Sequence, residues 1–122
     1  MTQQRLDLGK LGEEQAVARL KKEGYRIILR NYRNTFGEID IIAQDGKILC
    51  FVEVRTRTQD WHGHPFDSIS LTKQKKIIRA AQGYLAERDA QDTEARFDVV
   101  AVTPQENGGC SVELIKDAFE VG

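Results

Sequence analysis

The sequence predicts an α/β domain in which helices flank a central mixed β-sheet. Helical periodicity marks two segments, at residues 8–23 and 70–88. Between them lie three segments rich in β-forming residues, and Asp45-Gly46, a strong signal for a two-residue hairpin turn, separates the second from the third. Two further strand-like segments follow, so the predicted order αβββαβ(β) favours a mixed sheet with helices packed on it.

The two helices are each predicted from one apolar face. In the first helix, four residues share a face at i, i+3, i+4 and i+7: Glu13, Ala16, Val17 and Leu20. Gly24 suits its C-terminal end. The second helix places five residues on its apolar face: Ile77, Ile78, Ala81, Tyr84 and Leu85. The predicted strands are residues 25–32, 37–44, 47–57, 97–103 and 111–115.

Composition narrows the class of protein. The chain has 122 residues, the usual size of one domain, with 40% hydrophobic and 30% charged residues. Its apolar runs are too short to span a bilayer, and no apolar stretch typical of a secretory signal follows Met1. Cys50 lies in an apolar run and Cys110 in a predicted loop, which indicates neither a disulfide framework nor a zinc site. We therefore expect a cytoplasmic protein with no membrane partner.

Charge is unevenly distributed along the chain. Residues 1–84 carry 15 Lys/Arg against 10 Asp/Glu, whereas residues 85–122 carry 3 against 9. Basic residues concentrate at 19–33 and 73–79. A polyanion could therefore meet a basic face, although solvated helix and strand faces explain the same pattern.

The hairpin turn predicts which residues of the second and third strands are neighbours. If Asp45-Gly46 is a two-residue turn, residue 44 faces residue 47, Glu38 lies opposite Glu53, and Asp40 lies opposite Phe51. Because side chains alternate between the two faces of a strand, one side of the sheet would then carry Glu38, Asp40, Glu53, Arg55 and Arg57.

Three carboxylates on one side of adjacent apolar strands need an explanation. Directly opposed like charges destabilise a sheet, and buried carboxylates need a partner. One explanation is a divalent cation, which Glu13 on the apolar helix face could also approach. The other is an ion-pair network in which Arg33, Arg55 and Arg57 neutralise the strand carboxylates and Arg30 or Arg33 neutralises Glu13.

Several motifs in order resemble the YraN family of bacterial proteins, and the resemblance covers roughly residues 8–119. They are Gly9-x-x-Gly12-Glu13, Gly24-Tyr25, Arg30-Asn31, Gly37-Glu38-Ile39-Asp40-Ile41-Ile42-Ala43, Phe51-Val52-Glu53-Val54-Arg55-x-Arg57, the lysine-rich Lys73–Ala81, and Arg96-Phe97-Asp98-Val99-Val100. The family is similar in turn to archaeal Holliday-junction resolvases and to the restriction-endonuclease-like superfamily. The resemblance therefore implies a single restriction-endonuclease-like domain over residues 1–122.

The resemblance also implies a metal-dependent nuclease. Glu13, Asp40 and Glu53 would be catalytic and would hold Mg²⁺ or Mn²⁺, with Glu38 as an accessory residue. Arg55, the fourth catalytic residue implied, stands where the superfamily has a lysine; an arginine cannot act as a base, but it would stabilise the transition state. The nucleic-acid-binding residues would be Arg30, Arg33, Arg57, Lys73 and Lys76.

The expected partner is nucleic acid, DNA in preference to RNA, with a homodimer as one expected assembly. A non-catalytic nucleic-acid-binding module on the same fold, and an interaction protein unrelated to nucleic acid, remain alternatives. His62-Gly63-His64 is a weak metal signal. The nearby Trp61 and Phe66 are expected to pack locally or form a dimer contact, and stacking on an unpaired base is the alternative. Asp98, in an apolar strand, is expected to pair with Arg96 or a neighbouring strand rather than join the site.

Overall fold

A computed structural model describes residues 2–57 and 69–120, with residues 2–7 described as backbone only. It contains two helices and five strands: α1 (Thr2–Lys22), β1 (Arg26–Asn34), β2 (Gly37–Asp45), β3 (Ile48–Thr56), α2 (Leu71–Glu87), β4 (Ala95–Pro104) and β5 (Cys110–Phe119). The predicted α/β class and element order are confirmed. Helix α1 begins earlier than predicted. Trp61, His62, His64 and Phe66 lie outside the described residues.

The five strands form one mixed sheet in the order β1-β2-β3-β4-β5. Strands β3 and β4 are parallel, and every other neighbouring pair is antiparallel. The parallel pair is joined by the crossover that contains α2, as parallel neighbours require. This connection brings the N-terminal end of α2 near the C-terminal end of β3.

The two helices cover opposite faces of the sheet. Phe51 belongs to the cluster formed with α2, and the next residue, Val52, belongs to the cluster formed with α1. Ala16 and Leu20 of α1 are fully buried in their cluster, as the helical periodicity predicted. Ile77 anchors α2 on the other face.

Ser70 fixes where α2 begins. Its side-chain oxygen accepts a hydrogen bond from the backbone N–H of Lys73 at 3.1 Å, which is a standard N-cap interaction. Gln74 is buried one turn into the helix and donates a hydrogen bond to the carbonyl of Ile69 at 3.0 Å. These two contacts set the position of Lys73 in the first turn.

The register predicted for the β2–β3 hairpin is wrong by two residues. Asp45 pairs with Ile48, so the turn consists of Gly46 and Lys47, and it is Ile42 rather than Asp40 that pairs with Phe51. Gly46 has a φ of +62°, whereas Lys47 is not in the positive-φ region. This is the pattern of a type II′ turn, in which glycine is the first central residue rather than the second.

Strand β2 changes its alternation at Asp40. Ile39 packs in the α2 cluster although Ile41, two residues later, packs in the α1 cluster. Glu38 therefore projects from the α1 side, whereas Glu53 follows Phe51 on the α2 side. The prediction that Glu38 shares a face with Glu53, and lies opposite it, is consequently wrong.

Strand β1 changes its alternation at the matching position. Arg30 hydrogen-bonds Glu13 of α1, whereas Tyr32 packs in the α2 cluster. Between them, Asn31 has a φ of +55°, in the left-handed region that Asn tolerates better than most residues. We call this paired change of side at Asn31 and Asp40 the pleat reversal.

Cysteine placement follows the sequence prediction only in part. Cys50 is fully buried in the core, as predicted, whereas Cys110 is the first residue of β5 rather than part of a loop. Both are free thiols. Among the described residues, no helix is long and apolar enough to cross a membrane.

Candidate functional site

Asp40 and Glu53 meet where β2 and β3 part. The backbone pairing of these strands ends at Ile41 and Val52. At the next position, the Asp40 carboxylate replaces a backbone partner: its Oδ2 accepts a hydrogen bond from the N–H of Val54 at 2.9 Å. The side chains of Asp40 and Glu53 are also hydrogen-bonded to each other. The split between the strands therefore holds two adjacent carboxyl groups.

Glu53 is an unusual carboxyl group because it is buried beside another carboxyl group. Only 4% of the residue is exposed. Burial, together with the hydrogen bond to Asp40 and the charge of that residue, raises the pKa of Glu53 to about 8. Lys73 and Arg55 act in the opposite direction without reversing the shift. Burial therefore makes ionisation of Glu53 costly, and a nearby positive charge reduces that cost.

Two cations flank this pair on the α2 side. Nη1 of Arg55 lies 3.8 Å from Oε2 of Glu53, and Nζ of Lys73 lies 3.6 Å from the same oxygen. With both carboxylates ionised, the formal charges of these four side chains cancel. Lys73 was predicted only to bind nucleic acid, whereas the structure places its ammonium group beside Glu53.

The chemistry of the pair fits a hard divalent cation. Carboxylate oxygens are the preferred ligands of Mg²⁺ and Mn²⁺, and a cation bound to Glu53 would favour the ionised form of that carboxyl group. Among the described residues, however, no group of three or more His, Cys, Asp or Glu side chains is close enough together to hold a metal. Asp40 and Glu53 thus form a two-carboxylate donor set, without Glu13 as a direct third member.

Glu13 is held in a separate group on the α1 side. Its Oε1 accepts hydrogen bonds from Nε of Arg30 at 3.1 Å and from Nδ2 of Asn31 at 3.0 Å. Arg30 also donates to Glu14 at 2.6 Å. The pairing with Arg30 is the ion-pair alternative that the sequence left open.

Asn31 connects the two groups, and sequence reasoning did not identify it as a site residue. It lies opposite Asp40 in the β1–β2 register, at the pleat reversal. A cleft of about 40 Å³, enough for a water molecule, is lined by Asn31, Tyr32, Arg33, Glu38, Ile39 and Asp40. The available signal was an asparagine within a β-rich segment, since Asn is enriched at positive φ.

The predicted nucleic-acid-binding arginines each have an acidic partner. Arg33 forms an ion pair with Glu38 on the exposed surface. Arg57 lies 3.6 Å from Glu113 and donates to Oγ1 of Thr103 at 3.0 Å. Lys76 is exposed on α2. The structure therefore spreads these residues over both faces of the sheet and does not gather them around Glu53.

A second buried carboxylate, Asp98, lies on the α1 side, away from this site. Arg96 donates to it through Nε at 2.8 Å and Nη2 at 3.0 Å, and the hydroxyl of Tyr25 donates at 2.8 Å. The prediction that Asp98 pairs with Arg96 is confirmed.

Comparison with known proteins gives one family. The model of the uncharacterised protein family UPF0102 matches residues 12–102. A UPF0102 protein of Syntrophus aciditrophicus is 49% identical over 118 residues, which cover 97% of this chain and 92% of that protein. One from Desulfosudis oleivorans is 50% identical over 120 residues, or 98% and 95% of the two chains. One from Chlorobaculum parvum is 56% identical over 95 residues, or 78% and 74%. The chain therefore belongs to the UPF0102 family, which is the YraN family that its motifs resemble.

Proposed function

We propose that this protein is a metal-dependent nuclease that hydrolyses phosphodiester bonds. The observation that carries the proposal is the Asp40–Glu53 pair. Burying Glu53 next to a second carboxyl group has a free-energy cost, and a function that needs both groups explains why they are kept. Two cations beside the pair supply the positive charge that a phosphate would require.

Each residue of the site has a separate role in this proposal. Asp40 and Glu53 would hold Mg²⁺ or Mn²⁺, and the carbonyl of Val54 is a further oxygen beside them. A bound divalent cation lowers the pKa of water and neutralises charge on the phosphate. Arg55 would contact a phosphate oxygen, because a guanidinium suits that geometry and stays charged. Glu13, through Asn31, would orient water in the cleft beside Asp40.

The substrate is proposed from the charge distribution and the family resemblance. DNA, including branched DNA, is the first candidate, with RNA as the second. Lys76 and Arg33 are exposed and could contact the phosphate backbone on either side of the site. A homodimer would present two such sites to a two-stranded substrate.

A second candidate function is a nucleic-acid-binding module without cleavage. Two observations favour it. Glu13 is already neutralised by Arg30, and Arg55 cannot act as a base. In this case the Asp40–Glu53 pair would be retained for structural reasons, and the basic residues alone would bind the phosphate backbone.

A cleavage and gel-shift panel separates the two functions. The substrates are four-way junction, flap, duplex and single-stranded DNA and RNA, each with Mg²⁺, Mn²⁺ or chelator at two salt concentrations. Glu53→Gln is compared with wild type and with Glu106→Gln, a matched control in the exposed β4–β5 turn.

The nuclease predicts metal-dependent cutting that Glu53→Gln abolishes and Glu106→Gln retains. Salt-sensitive binding without cutting, equal in all three proteins, would support the binding module instead. Absence of both binding and cutting would overturn both functions.

A further inference from the structure

Lys73 occupies a position that helix stability does not explain. It lies in the first turn of α2, where the helix dipole disfavours a positive charge, and that turn contains no acidic residue. Its Nζ is nevertheless 3.6 Å from Oε2 of the buried Glu53, and 39% of its side chain is exposed. Lys73 thus reaches from solvent into the split between β2 and β3.

Whether Lys73 pairs with Glu53 depends on the total charge of the site. Asp40 and Glu53 carry two negative charges when ionised, and Arg55 and Lys73 carry two positive ones. A divalent cation bound to the carboxylates would therefore leave an excess of two positive charges. Lys73 would then face a cation rather than a carboxylate. Its flexible four-carbon stem allows it to move, whereas the planar guanidinium of Arg55 is held on β3.

We propose that Lys73 is an exchangeable counter-ion of this site. It pairs with Glu53 in the metal-free protein and transfers to a phosphate oxygen of the nucleic acid when a divalent cation takes the carboxylates. The inference rests on the proposed function, because it uses the same two carboxylates. It makes Lys73 a residue that couples the binding of metal and phosphate, rather than one that only grips the phosphate backbone.

Two consequences distinguish this role from a structural one. Without nucleic acid, Lys73 competes with the metal for Glu53, so removing its charge tightens metal binding. With nucleic acid and metal together, Lys73 contacts a phosphate, so removing its charge weakens the complex. A lysine that merely supports the site would, when removed, loosen the carboxylates and weaken metal binding.

The first experiment titrates Mn²⁺ into the intact protein without nucleic acid, followed by electron paramagnetic resonance. The variants are Lys73→Met, Lys73→Arg and the matched control Lys75→Met, which is exposed on the same helix. We expect Lys73→Met to lower the Kd for Mn²⁺ about three- to tenfold, the order expected for losing one partly screened positive charge beside a divalent cation. Lys73→Arg and Lys75→Met should match wild type.

The second experiment measures duplex and four-way-junction DNA binding in Ca²⁺ and in chelator. We expect Lys73→Met to weaken binding about fivefold more than Lys75→Met in Ca²⁺ and equally in chelator. Mn²⁺ affinity that is unchanged or weaker in Lys73→Met would overturn the counter-ion role, as would a wild type that binds no Mn²⁺. Tighter Mn²⁺ binding in Lys73→Met, with a wild type that cuts no substrate, would refute the nuclease and leave the counter-ion role standing.

Discussion

Asp98 and Glu53 are both buried carboxyl groups on neighbouring strands, but they differ in what surrounds them. Asp98 is fully buried and accepts hydrogen bonds from Arg96, from Tyr25 and, at 2.9 Å, from the backbone N–H of Asp117. Glu53 has another acid as its hydrogen-bonded neighbour, and its cations lie more than 3.5 Å away. Both carboxyl groups are therefore buried, but Asp98 is surrounded by hydrogen-bond donors, whereas Glu53 has a second acid beside it.

The difference shows that burial alone does not identify a functional carboxylate. The hydrogen bonds to Asp98, above other causes, raise the pKa of Arg96, and Asp98 also joins β4 to β5 by accepting from the N–H of Asp117. Glu53 instead has its own pKa raised to about 8 by burial and by Asp40. A buried carboxylate that accepts several hydrogen bonds stabilises the fold, whereas one with few hydrogen-bond donors can still bind a ligand.

The largest loss of stability is expected when the charge of Asp98 is removed. Asp98→Asn should lower the free energy of unfolding by about 3–5 kcal/mol, because it leaves the Arg96 guanidinium, which is mostly buried, without its main counter-ion. Urea denaturation measures the change, with exposed Asp92→Asn as the control. A loss below about 1 kcal/mol would mean that Asp98 does not stabilise the fold in this way.

The corresponding change at Glu53 should have the opposite sign. Because the folded-state pKa of about 8 lies above the ordinary value of 4.5, the favourable contribution of protonated Glu53 is complete below pH 4.5 and lost as pH rises through about 8. Glu53→Gln should therefore be close to wild type near pH 5 and more stable by about 4–5 kcal/mol at pH 9. Urea denaturation in chelator at both pH values tests this, and a variant less stable at pH 9 would refute it.

Sequence reasoning predicted the elements well because their signals are local. Ala16 and Leu20 repeat with helical period, and the strands are rich in β-forming residues. The hairpin register was wrong because Asp45-Gly46 fits more than one turn type, and the neighbours of Gly46 decide between them: neither Asp45 nor Lys47 has a positive φ. An error of two residues preserves alternation, so it did not by itself move Asp40 or Glu53 to another face.

The rest of the site depends on contacts between distant parts of the chain. Glu13 is separated from the carboxylate pair because α1 covers the face of the sheet opposite the one from which Glu53 projects, and a period-two pattern does not reveal which face each helix covers. Lys73 approaches Glu53 because Ser70 starts α2 near the end of β3. Neither placement has a local sequence signal, whereas the pairing of Asp98 with Arg96, two residues away on β4, does.

A smaller effect is expected at the pleat reversal. Asn31→Ala should cost about 1–2 kcal/mol, because alanine tolerates the left-handed backbone poorly and cannot donate to Glu13. Asn31→Gly removes the same hydrogen bond but accepts the backbone conformation, so its cost should be clearly smaller. Thermal unfolding of the two variants compares them. Equal costs would assign the effect to the hydrogen bond rather than to the backbone.

The smallest expected effect concerns the start of α2. Ser70→Ala removes the cap hydrogen bond to the N–H of Lys73 and should cost about 1 kcal/mol in unfolding free energy. Ser70→Asp keeps a capping oxygen and should restore stability. If Ser70→Ala alters Mn²⁺ affinity while Asp98 variants do not, the start of α2 is energetically coupled to the site at Glu53.

The left-handed backbone at Asn31 also limits how this position can vary during evolution. Only glycine, asparagine and aspartate adopt such a conformation at low cost, so homologues should draw from that short set whether or not they cleave anything. An invariant asparagine here would consequently reflect chain geometry as much as chemistry. Position 73 carries no such backbone demand, so the residues that relatives place there are the more informative record of selection for activity.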